Sequence, residues 1–167
     1  DVRFGFAFPD VYEIGMSHLG MHILYNLLNE EKNILCERIF APWDDMEQIM
    51  RKSNTSLFTI ETHSPIRNLD IIGFTLQYEL SYTNILNILD LGKIPLYSKD
   101  RGDVDPLIIA GGPCAYNPEP LADILDVVIL GEGEEVILEV VERYRKWKLG
   151  GGARRDFLGS IVDIPGV

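Results

Sequence analysis

The chain has 167 residues, 46% hydrophobic and 25% charged, which is enough to bury the core of one ordinary globular domain. Its 15 basic and 26 acidic residues leave a formal charge of -11, which disfavours general nucleic-acid and membrane-surface roles because like charges repel. No apolar run approaches the roughly 20 residues that span a bilayer, and the first residues lack the layout of a signal peptide.

Cysteine usage and the first residues indicate the setting of the chain. Cys36 and Cys114 are far apart and fit neither a C-x-x-C metal motif nor a disulfide-dense secreted scaffold. A reducing, cytoplasmic compartment is therefore expected. The sequence lacks an initiator Met and opens directly on a predicted strand, so we expect a fragment of a longer protein.

The first half of the chain predicts two strand–helix pairs. Residues 2–8 are short, apolar and rich in aromatics, which favours a strand. Apolar residues recur at spacings of three and four within 17–29, so a helix with one apolar face follows. Residues 34–41 predict a second strand, and 42–52 a helix with acidic residues at its start. A short apolar piece covers 57–60.

The second half continues the alternation. Residues 70–76 form a continuous apolar run, as expected of a strand covered on both faces at the centre of a parallel sheet. A helix over 81–91, strands over 107–110 and 127–130, and a helix over 134–148 follow. The pattern predicts an α/β fold with a doubly wound, mostly parallel sheet of about five strands.

The alternation stops after the last predicted helix. Gly150–Gly152 and the basic pair Arg154-Arg155 break the pattern. We therefore predict one domain over 1–149 and a linker over 150–167 that leads into a further domain.

Ligands of open parallel sheets bind outside the carboxyl ends of the strands, so the loops that follow the strands are the candidate site. The glycines in these loops suit either close approach of a ligand or simple turn chemistry. The loops are 9–15, 77–79, 111–114 and 131–135.

Nucleotide sites fit these loops poorly. Gly131-x-Gly133 lacks the third glycine of a dinucleotide fingerprint and follows the last strand instead of opening the fold. No P-loop motif is present, and Glu132, Glu134 and Glu135 would repel phosphate at a helix start. Nicotinamide, flavin, ATP and GTP binding are therefore disfavoured.

The histidines give no readable catalytic pattern. His18 and His22 have helical i, i+4 spacing, but the acid of H-E-x-x-H and a third ligand are absent, so surface histidines are favoured over a metal site. No Ser or Cys nucleophile pairs with His63 by any pattern, which disfavours a hydrolase triad.

Cysteines and tyrosines offer weaker alternatives. Cys36 lies inside a predicted strand and suits a core position. Cys114 follows the end of a predicted strand, where it is better placed to contact a ligand, although burial is favoured there too. Tyr78, Tyr82 and Tyr116 suit either stacking on a planar ligand or covering the upper edge of the sheet.

Three of the loops resemble motifs of cobalamin-binding domains. The run 10–15 (DVYEIG) resembles their D-x-H-x-x-G loop, with Tyr12 in place of the histidine. Thr75-Leu76-Gln77 falls where those domains carry S-x-L, and Gly111-Gly112 where they carry a glycine pair. The run 127–141 (VVILGEGEEVILEVV) resembles the last strand and helix of cobalamin-binding domains that precede radical S-adenosylmethionine enzymes.

Four longer runs resemble the amino-terminal region of a family of cobalamin-domain radical S-adenosylmethionine proteins, and the resemblance covers nearly the whole chain, from Asp1 to Val167. They are GMSHLGMHILYNLLN, ERIFAPWDDME, GFTLQYELSYTNILNILDLGKIPL and IAGGPCAYNPEPLAD. The resemblance implies a Rossmann-like domain that binds cobalamin. The implied cofactor-binding residues are Asp10, Tyr12, Gly15, Thr75, Gln77, Gly111, Gly112, Pro113, Gly131, Glu132 and Gly133.

The resemblance also implies a partner, which is the chain's own downstream radical S-adenosylmethionine domain. S-adenosylmethionine and the 4Fe-4S cluster would bind there, because two isolated cysteines cannot supply the C-x-x-x-C-x-x-C run of such a cluster. The alternative is a cofactor-free α/β interaction domain that docks on the radical barrel or on a partner protein. Substrate and reaction are not readable from the sequence.

Tyr12 changes what cobalamin binding would involve. In domains that keep the histidine, its imidazole is the lower axial ligand of cobalt, whereas a phenol with an ordinary pKa near 10 is a poor donor at pH 7. We therefore expect cobalamin without histidine ligation. His18 begins the next predicted helix, and we expect that turning it toward the crevice would need a changed loop path.

Overall fold

The computed structural model describes residues 1–167 and contains one five-stranded sheet in which every strand pairing is parallel. The strands are β1 (Val2–Phe8), β2 (Ile34–Phe40), β3 (Ile71–Thr75), β4 (Leu107–Gly111) and β5 (Val127–Val128). The helices are α1 (Tyr12–Gly15), α2 (Leu19–Glu30), α3 (Asp44–Ser53), α4 (Tyr82–Leu91), α5 (Gly133–Gly150) and α6 (Arg154–Ser160). Short 3-10 turns lie at Ile66–Asn68, Glu79–Ser81, Ser98–Asp100, Pro113–Tyr116 and Glu119–Leu121.

The strand order is β2-β1-β3-β4-β5, which confirms the predicted doubly wound α/β fold. One face of the sheet packs against α2, α5 and α6, and the other face packs against α3 and α4. Because the chain leaves β1 toward β2 and later returns to its other side as β3, a crevice opens between the carboxyl ends of β1 and β3. We call this end of the sheet the carboxyl edge and the opposite end the amino edge.

The central strand β3 behaves as its apolar run predicts. All five of its residues are buried, because β1 and β4 flank it and helices cover both faces. Its two faces belong to different cores: Ile71 packs with α2 and α5, while Ile72 and Phe74 pack with α3 and α4. The continuous hydrophobic pattern thus reflects burial on two sides.

Element boundaries differ from the predictions at several places. The predicted loop after β1 contains the single-turn helix α1, and the helix predicted from residue 17 begins at Leu19. The apolar piece at 57–60 forms one isolated bridge, between Phe58 and Pro65, instead of a strand. Strand β5 ends at Val128, although the Ile129 N–H still donates to the Ala110 carbonyl at 2.8 Å.

The segment predicted as a linker from residue 150 is packed against the domain. Helix α6 buries Phe157, whose ring meets that of Tyr144 edge-to-face at 5.3 Å. Ile161 and Ile164 are buried in the same core. Local sequence pattern could not indicate this, because the Phe157 ring packs on Tyr144 and Trp147 of α5, which lie ten or more residues earlier in the chain.

The glycine triplet that suggested a flexible connection has a geometric role. Gly150 is the last residue of α5, and Gly151 and Gly152 have positive φ values of 69° and 157°. A Cβ atom on Gly152 would lie 3.0 Å from Nε1 of Trp147. The glycines therefore let the chain turn closely over the Trp147 indole before α6 begins.

A buried charge cluster closes the amino edge near β4 and β5. The Asp126 carboxylate accepts from Arg154 Nη2 at 2.6 Å and from the Ile108 N–H at 2.7 Å, and Arg101 Nε lies 3.2 Å away. The side chains of Arg101 and Asp126 are fully buried. Burial lowers the pKa of Arg101. We call Asp126, Arg101 and Arg154 the Asp126 cluster; it ties α6 to the sheet.

The outer side of β2 is covered by side chains and a loop. The Cys36 N–H donates to Asn29 Oδ1 at 2.9 Å, and the Cys36 carbonyl accepts from Asn29 Nδ2 at 3.1 Å. The Arg38 N–H donates to the Glu61 carboxylate at 2.7 Å, and the Arg38 carbonyl accepts from the Ile60 N–H at 3.0 Å. Outward backbone groups of this edge strand are thereby satisfied.

No helix in the structure combines the length and the apolar character of a membrane span.

Candidate functional site

A pocket of about 240 Å³ opens at the carboxyl edge, between the sheet and helices α2 and α5. Its floor and walls are largely apolar, with a few polar groups at the rim. The lining residues are Phe4, Phe6, His18, Gly20, Leu24, Leu28, Gly73, Phe74, Thr75, Gln77, Ile109, Ala110, Gly111, Gly112, Ile129, Gly131, Glu132, Gly133, Glu134 and Ile137.

Two strand glycines shape the floor of the pocket. Side chains alternate between the faces of a strand, so Gly73 of β3 and Gly111 of β4 fall on the face toward α2 and α5. Neither position projects a side chain from the sheet. A Cβ on Gly73 would lie 2.7 Å from Cζ of Phe4, so the Phe4 ring already occupies the space above that glycine. The aromatic ring and the bare backbone together form the floor.

The pocket brings together the predicted site residues of three loops, those that follow β3, β4 and β5. These lining residues are Thr75, Gln77, Gly111, Gly112, Gly131, Glu132 and Gly133. The remaining predicted residues, Asp10, Tyr12, Gly15 and Pro113, do not line it. Whether this set binds a cofactor stays a prediction.

The two positive-φ glycines at the rim differ in what they accommodate. Gly112 has φ 108°, and a Cβ there would lie 3.0 Å from the Leu76 carbonyl oxygen. The loops after β3 and β4 touch at this point, since the Leu76 N–H donates to the Gly111 carbonyl at 2.7 Å. Gly131 has φ 93° with no atom within 4 Å of its Cβ position. Gly112 therefore serves protein packing, whereas Gly131 leaves open space at the rim.

Thr75 and Gln77 provide neutral polar groups to the pocket. Thr75 is buried, and its Oγ1 accepts a hydrogen bond from Gln77 Nε2. The Thr75 hydroxyl hydrogen and the side-chain oxygen Oε1 of Gln77 make no hydrogen bond within the protein. One donor and one acceptor thus remain available to a ligand.

The start of α5 gives the rim an acidic character. Glu132 is the N-cap residue, yet its side chain makes no capping hydrogen bond, and Glu134 follows in the first turn. Both side chains are exposed and line the pocket. Their negative charges offset the positive end of the helix dipole.

His18 lies at the pocket, contrary to the expectation that it would need a changed loop path to reach it. Helix α1 shortens the connection after β1, so that His18 becomes the N-cap of α2 and its ring packs on Phe8 with centroids 5.2 Å apart. His22 does not join it as a metal pair, because its Nε2 is bonded to the Met16 carbonyl at 2.8 Å. No group of three or more potential metal-ligating side chains occurs in the structure.

Asp10 is used to join two loops. Its carboxylate accepts from the Tyr78 hydroxyl and, at 2.8 Å, from the Val11 N–H. The hydrogen bond to Asp10 raises the pKa of Tyr78 to about 12. Asn84 Nδ2 also donates to the Pro9 carbonyl at 2.9 Å. The loops after β1 and β3 are thus held together across the crevice.

Tyr12, Gly15 and Pro113 lie outside the pocket for separate reasons. The Tyr12 ring is half exposed and meets the Phe40 ring edge-to-face at 5.3 Å, on the β2 side of the edge. Gly15 is buried against the same phenylalanine, with which a Cβ atom would collide, so it is a packing glycine. Pro113 is exposed at the start of a 3-10 turn.

The other candidate side chains lie outside the pocket. Tyr78 and Tyr116 are exposed, by 37% and 72%, and Tyr82 packs against the core on the α3 and α4 face. Cys114 is half-buried, and desolvation together with Glu79 raises its pKa. His63 is exposed, with its ring edge-to-face to Phe58.

The apolar lining residues and His18 are not among the site residues predicted from the sequence. Gly73 carried a usable signal, because a glycine inside a buried strand often marks a close approach. Leu24, Leu28 and Ile137 carried none, since apolar residues on helix faces have the same pattern whether they face a core or a pocket.

Comparison with known proteins gives two matches. A family model described as "Radical SAM proteins, N-terminal" matches residues 20–167. An uncharacterised protein of Methanocaldococcus jannaschii is 31% identical over 140 residues, which cover 81% of this chain and 26% of that protein. The chain therefore spans about a quarter of the length of this curated relative. No solved structure matches the chain.

Proposed function

Because this chain belongs to the family of N-terminal domains of radical S-adenosylmethionine proteins, we propose that it is an accessory domain that binds cobalamin beside a radical S-adenosylmethionine domain. The observation that carries the proposal is the largely apolar pocket at the carboxyl edge, whose floor includes Phe4, Gly73 and Gly111. Thr75 and the Gly111-Gly112 pair line it, and these are the positions that resemble the S-x-L and glycine-pair motifs.

The size of the pocket fits one part of cobalamin. Pockets for whole drug-sized ligands hold about 300–1,000 Å³, whereas this one holds about 240 Å³. The corrin macrocycle is too large for it, but the flat benzimidazole base of the nucleotide tail is not. Phe4 and Leu24 offer apolar surface to such a ring, and Thr75 and Gln77 offer a donor and an acceptor.

The position of Tyr12 supports binding without a protein ligand to cobalt. Its phenol packs on Phe40 outside the pocket, and a phenol is a poor donor to cobalt at neutral pH. Bound cobalamin would supply cobalt-centred group-transfer chemistry. S-adenosylmethionine and an iron–sulfur cluster would be held by the partner domain, since Cys36 and Cys114 cannot form a cluster site.

Titration with cobalamin and with cobinamide, which lacks the nucleotide tail, tests the proposal. Cobalamin should bind, and cobinamide should bind more weakly by about tenfold or more, because it cannot fill the pocket. Leu24→Trp should fill the pocket and weaken cobalamin binding to a similar degree. Leu19→Trp is the matched control, because Leu19 lies on the same helix, is 71% exposed and does not line the pocket. Equal binding of both corrinoids would contradict the assignment of the pocket.

The alternative is a cofactor-free domain that docks on the radical S-adenosylmethionine domain. It is favoured by two exposed apolar side chains at the carboxyl edge, Leu80 at 89% and Tyr116 at 72%. In that case neither corrinoid binds, and the double substitution Leu80→Ser with Tyr116→Ser releases the domain in limited proteolysis of the full-length protein. Cobalamin binding with an unchanged proteolysis pattern would exclude it.

A further inference from the structure

His18 has two relations to its surroundings that together define its chemistry. Its Nδ1 accepts a hydrogen bond from the Met21 N–H at 3.2 Å, which makes it the N-cap of α2. Its ring packs on Phe8 and lines the pocket beside Gly20. A Cβ on Gly20 would lie 3.0 Å from Cε1 of the ring, so this glycine lets the imidazole lie close over the first turn of the helix.

The cap fixes which nitrogen carries the proton. A neutral imidazole has one N–H and one lone pair, and Nδ1 uses its lone pair to accept from Met21. The proton is therefore on Nε2. That nitrogen makes no hydrogen bond to the protein, and it is not among the buried polar atoms that lack a partner. A residue that lines the pocket thus carries an N–H donor without a partner in the protein.

We infer that His18 is a ligand-positioning residue that donates its Nε2–H to an acceptor atom of the group in the pocket and that it does not coordinate a metal. This inference rests on the proposed function. Coordination through Nε2 needs the lone pair that the proton occupies, and moving the proton to Nδ1 would remove the acceptor for the Met21 N–H. Metal ligation would therefore break the cap of α2.

The acceptor should belong to a flat aromatic heterocycle. The side chains that α2 adds to the pocket beyond His18 are the apolar Leu24 and Leu28, so a hydrocarbon ring would pack on them but leave the histidine N–H unpaired. A ring with an unprotonated nitrogen or a carbonyl satisfies both. The benzimidazole base of cobalamin is such a ring, and free 5,6-dimethylbenzimidazole is a small probe for the same chemistry.

His18→Ser separates the donor from the cap. Serine is a good N-cap residue, so the melting temperature should stay within about 4 °C of that of the unchanged chain. Binding of cobalamin and of 5,6-dimethylbenzimidazole should weaken by roughly fivefold to tenfold. His22→Gln is the control, because His22 does not line the pocket, and it should leave both affinities unchanged. Affinities of His18→Ser within twofold of the unchanged chain would overturn the inference.

Electron paramagnetic resonance of bound cob(II)alamin distinguishes a donor from a cobalt ligand. The cobalt lines should show no splitting by a histidine nitrogen, either in the unchanged chain or in His18→Ser. A nitrogen splitting that is present in the unchanged chain and lost in His18→Ser would overturn the inference, since it would make His18 the axial ligand.

Nuclear magnetic resonance of the histidine nitrogens in the ligand-free chain tests the tautomer without any cofactor. The His18 signals, identified by their loss in His18→Ser, should be those of the Nε2–H form, and the Nδ1–H form would overturn the inference. If cobalamin fails to bind while the benzimidazole probe still binds in a His18-dependent manner, the proposed function fails and the inference stands. If neither probe binds, both fail.

Discussion

The amino edge of the sheet and the pocket at its carboxyl edge differ in how their acidic side chains are used. At the amino edge, Asp126 is bonded to Arg154 and to the backbone of β4, and Asp70 accepts from the Arg3 N–H at 2.8 Å and from Lys148 Nζ at 2.6 Å. At the carboxyl edge, Thr75 and Gln77 bond mainly to each other, and Glu132 caps nothing with its side chain. The amino edge is built for stability, and the carboxyl edge keeps donors and acceptors free.

The contrast arises from the direction of the strands. Parallel strands bring all their carboxyl ends to one edge, and the helices that follow begin there with free N–H groups. At the amino edge the helix ends and α6 pack against the strands, which leaves charged groups such as Arg101 enclosed. Groups enclosed without water need partners, so the pairing found there is required by burial.

The largest expected effect is on stability, at the amino edge. Asp126→Asn removes the charge between two arginines and should lower the free energy of unfolding by about 3–5 kcal/mol, because it leaves buried guanidinium groups without a counter-charge. Urea denaturation measures the loss. Asp123→Asn is the control, because Asp123 is exposed and its side chain makes no hydrogen bond, and it should change stability by less than about 0.5 kcal/mol. A comparable change in both variants would show that the Asp126 cluster is not a stabilising centre.

An intermediate effect is expected on binding, at the carboxyl edge. Thr75→Val keeps the shape of the side chain but removes the hydroxyl, so cobalamin affinity should fall by about fivefold while the free energy of unfolding changes by less than about 1 kcal/mol. Spectroscopic titration and urea denaturation measure the two quantities. If stability falls strongly and affinity is unchanged, Thr75 is a structural residue and the contrast between the edges does not hold at β3.

The smallest effect is expected at the bond between Asp10 and Tyr78. The Tyr78 hydroxyl donates to the Asp10 carboxylate, which raises the pKa of Tyr78 from 10.0 to about 12. The stability that this bond contributes is complete below pH 10 and is lost as the pH rises through about 12. Because the pair is partly exposed, Asp10→Asn should destabilise the chain by less than about 1 kcal/mol.

The titration of Tyr78 gives a direct measurement of this bond. In Asp10→Asn, the phenol absorbance assigned by difference to Tyr78→Phe should titrate nearer to the ordinary value of 10.0. An unchanged titration would mean that the two loops are not joined by this bond in solution.

The sheet was predictable because its signals are local. In β3, consecutive residues are buried on both faces of the strand, which gives a continuous apolar run. In α2 and α5, residues three or four apart form one buried face, which gives the helical spacing. The site was predictable only as a set of loop ends. The Asp10 carboxylate accepts a hydrogen bond from Tyr78, and the His18 ring packs on Phe8. Both contacts depend on residues that only the folded chain brings close together.

The segment after α5 differs from its prediction as a linker for a similar reason. Glycine at 150–152 has the composition of a flexible connection, but here it allows a close turn over Trp147. The burial of Phe157 is decided by Tyr144 and Trp147, whose rings lie 5.3 and 5.5 Å from it. The glycine content shows that the backbone can turn at 150–152, whereas the aromatic contacts of Phe157 determine the direction in which the segment packs.

The covered outer side of β2 limits how this chain can associate with others. Edge strands with free N–H and C=O groups can recruit an added strand, which leads to β-augmentation or to aggregation. Here Asn29 and the 60–61 segment already occupy the outward groups of Cys36 and Arg38. On the opposite side of the sheet, the outer strand β5 is only two residues long, and the Leu130 N–H donates a hydrogen bond to the Gly166 carbonyl at 2.7 Å. Neither outer strand, β2 or β5, offers free backbone groups that could pair with a sixth strand. Neighbouring polypeptides must therefore be recognised through side chains and surface shape.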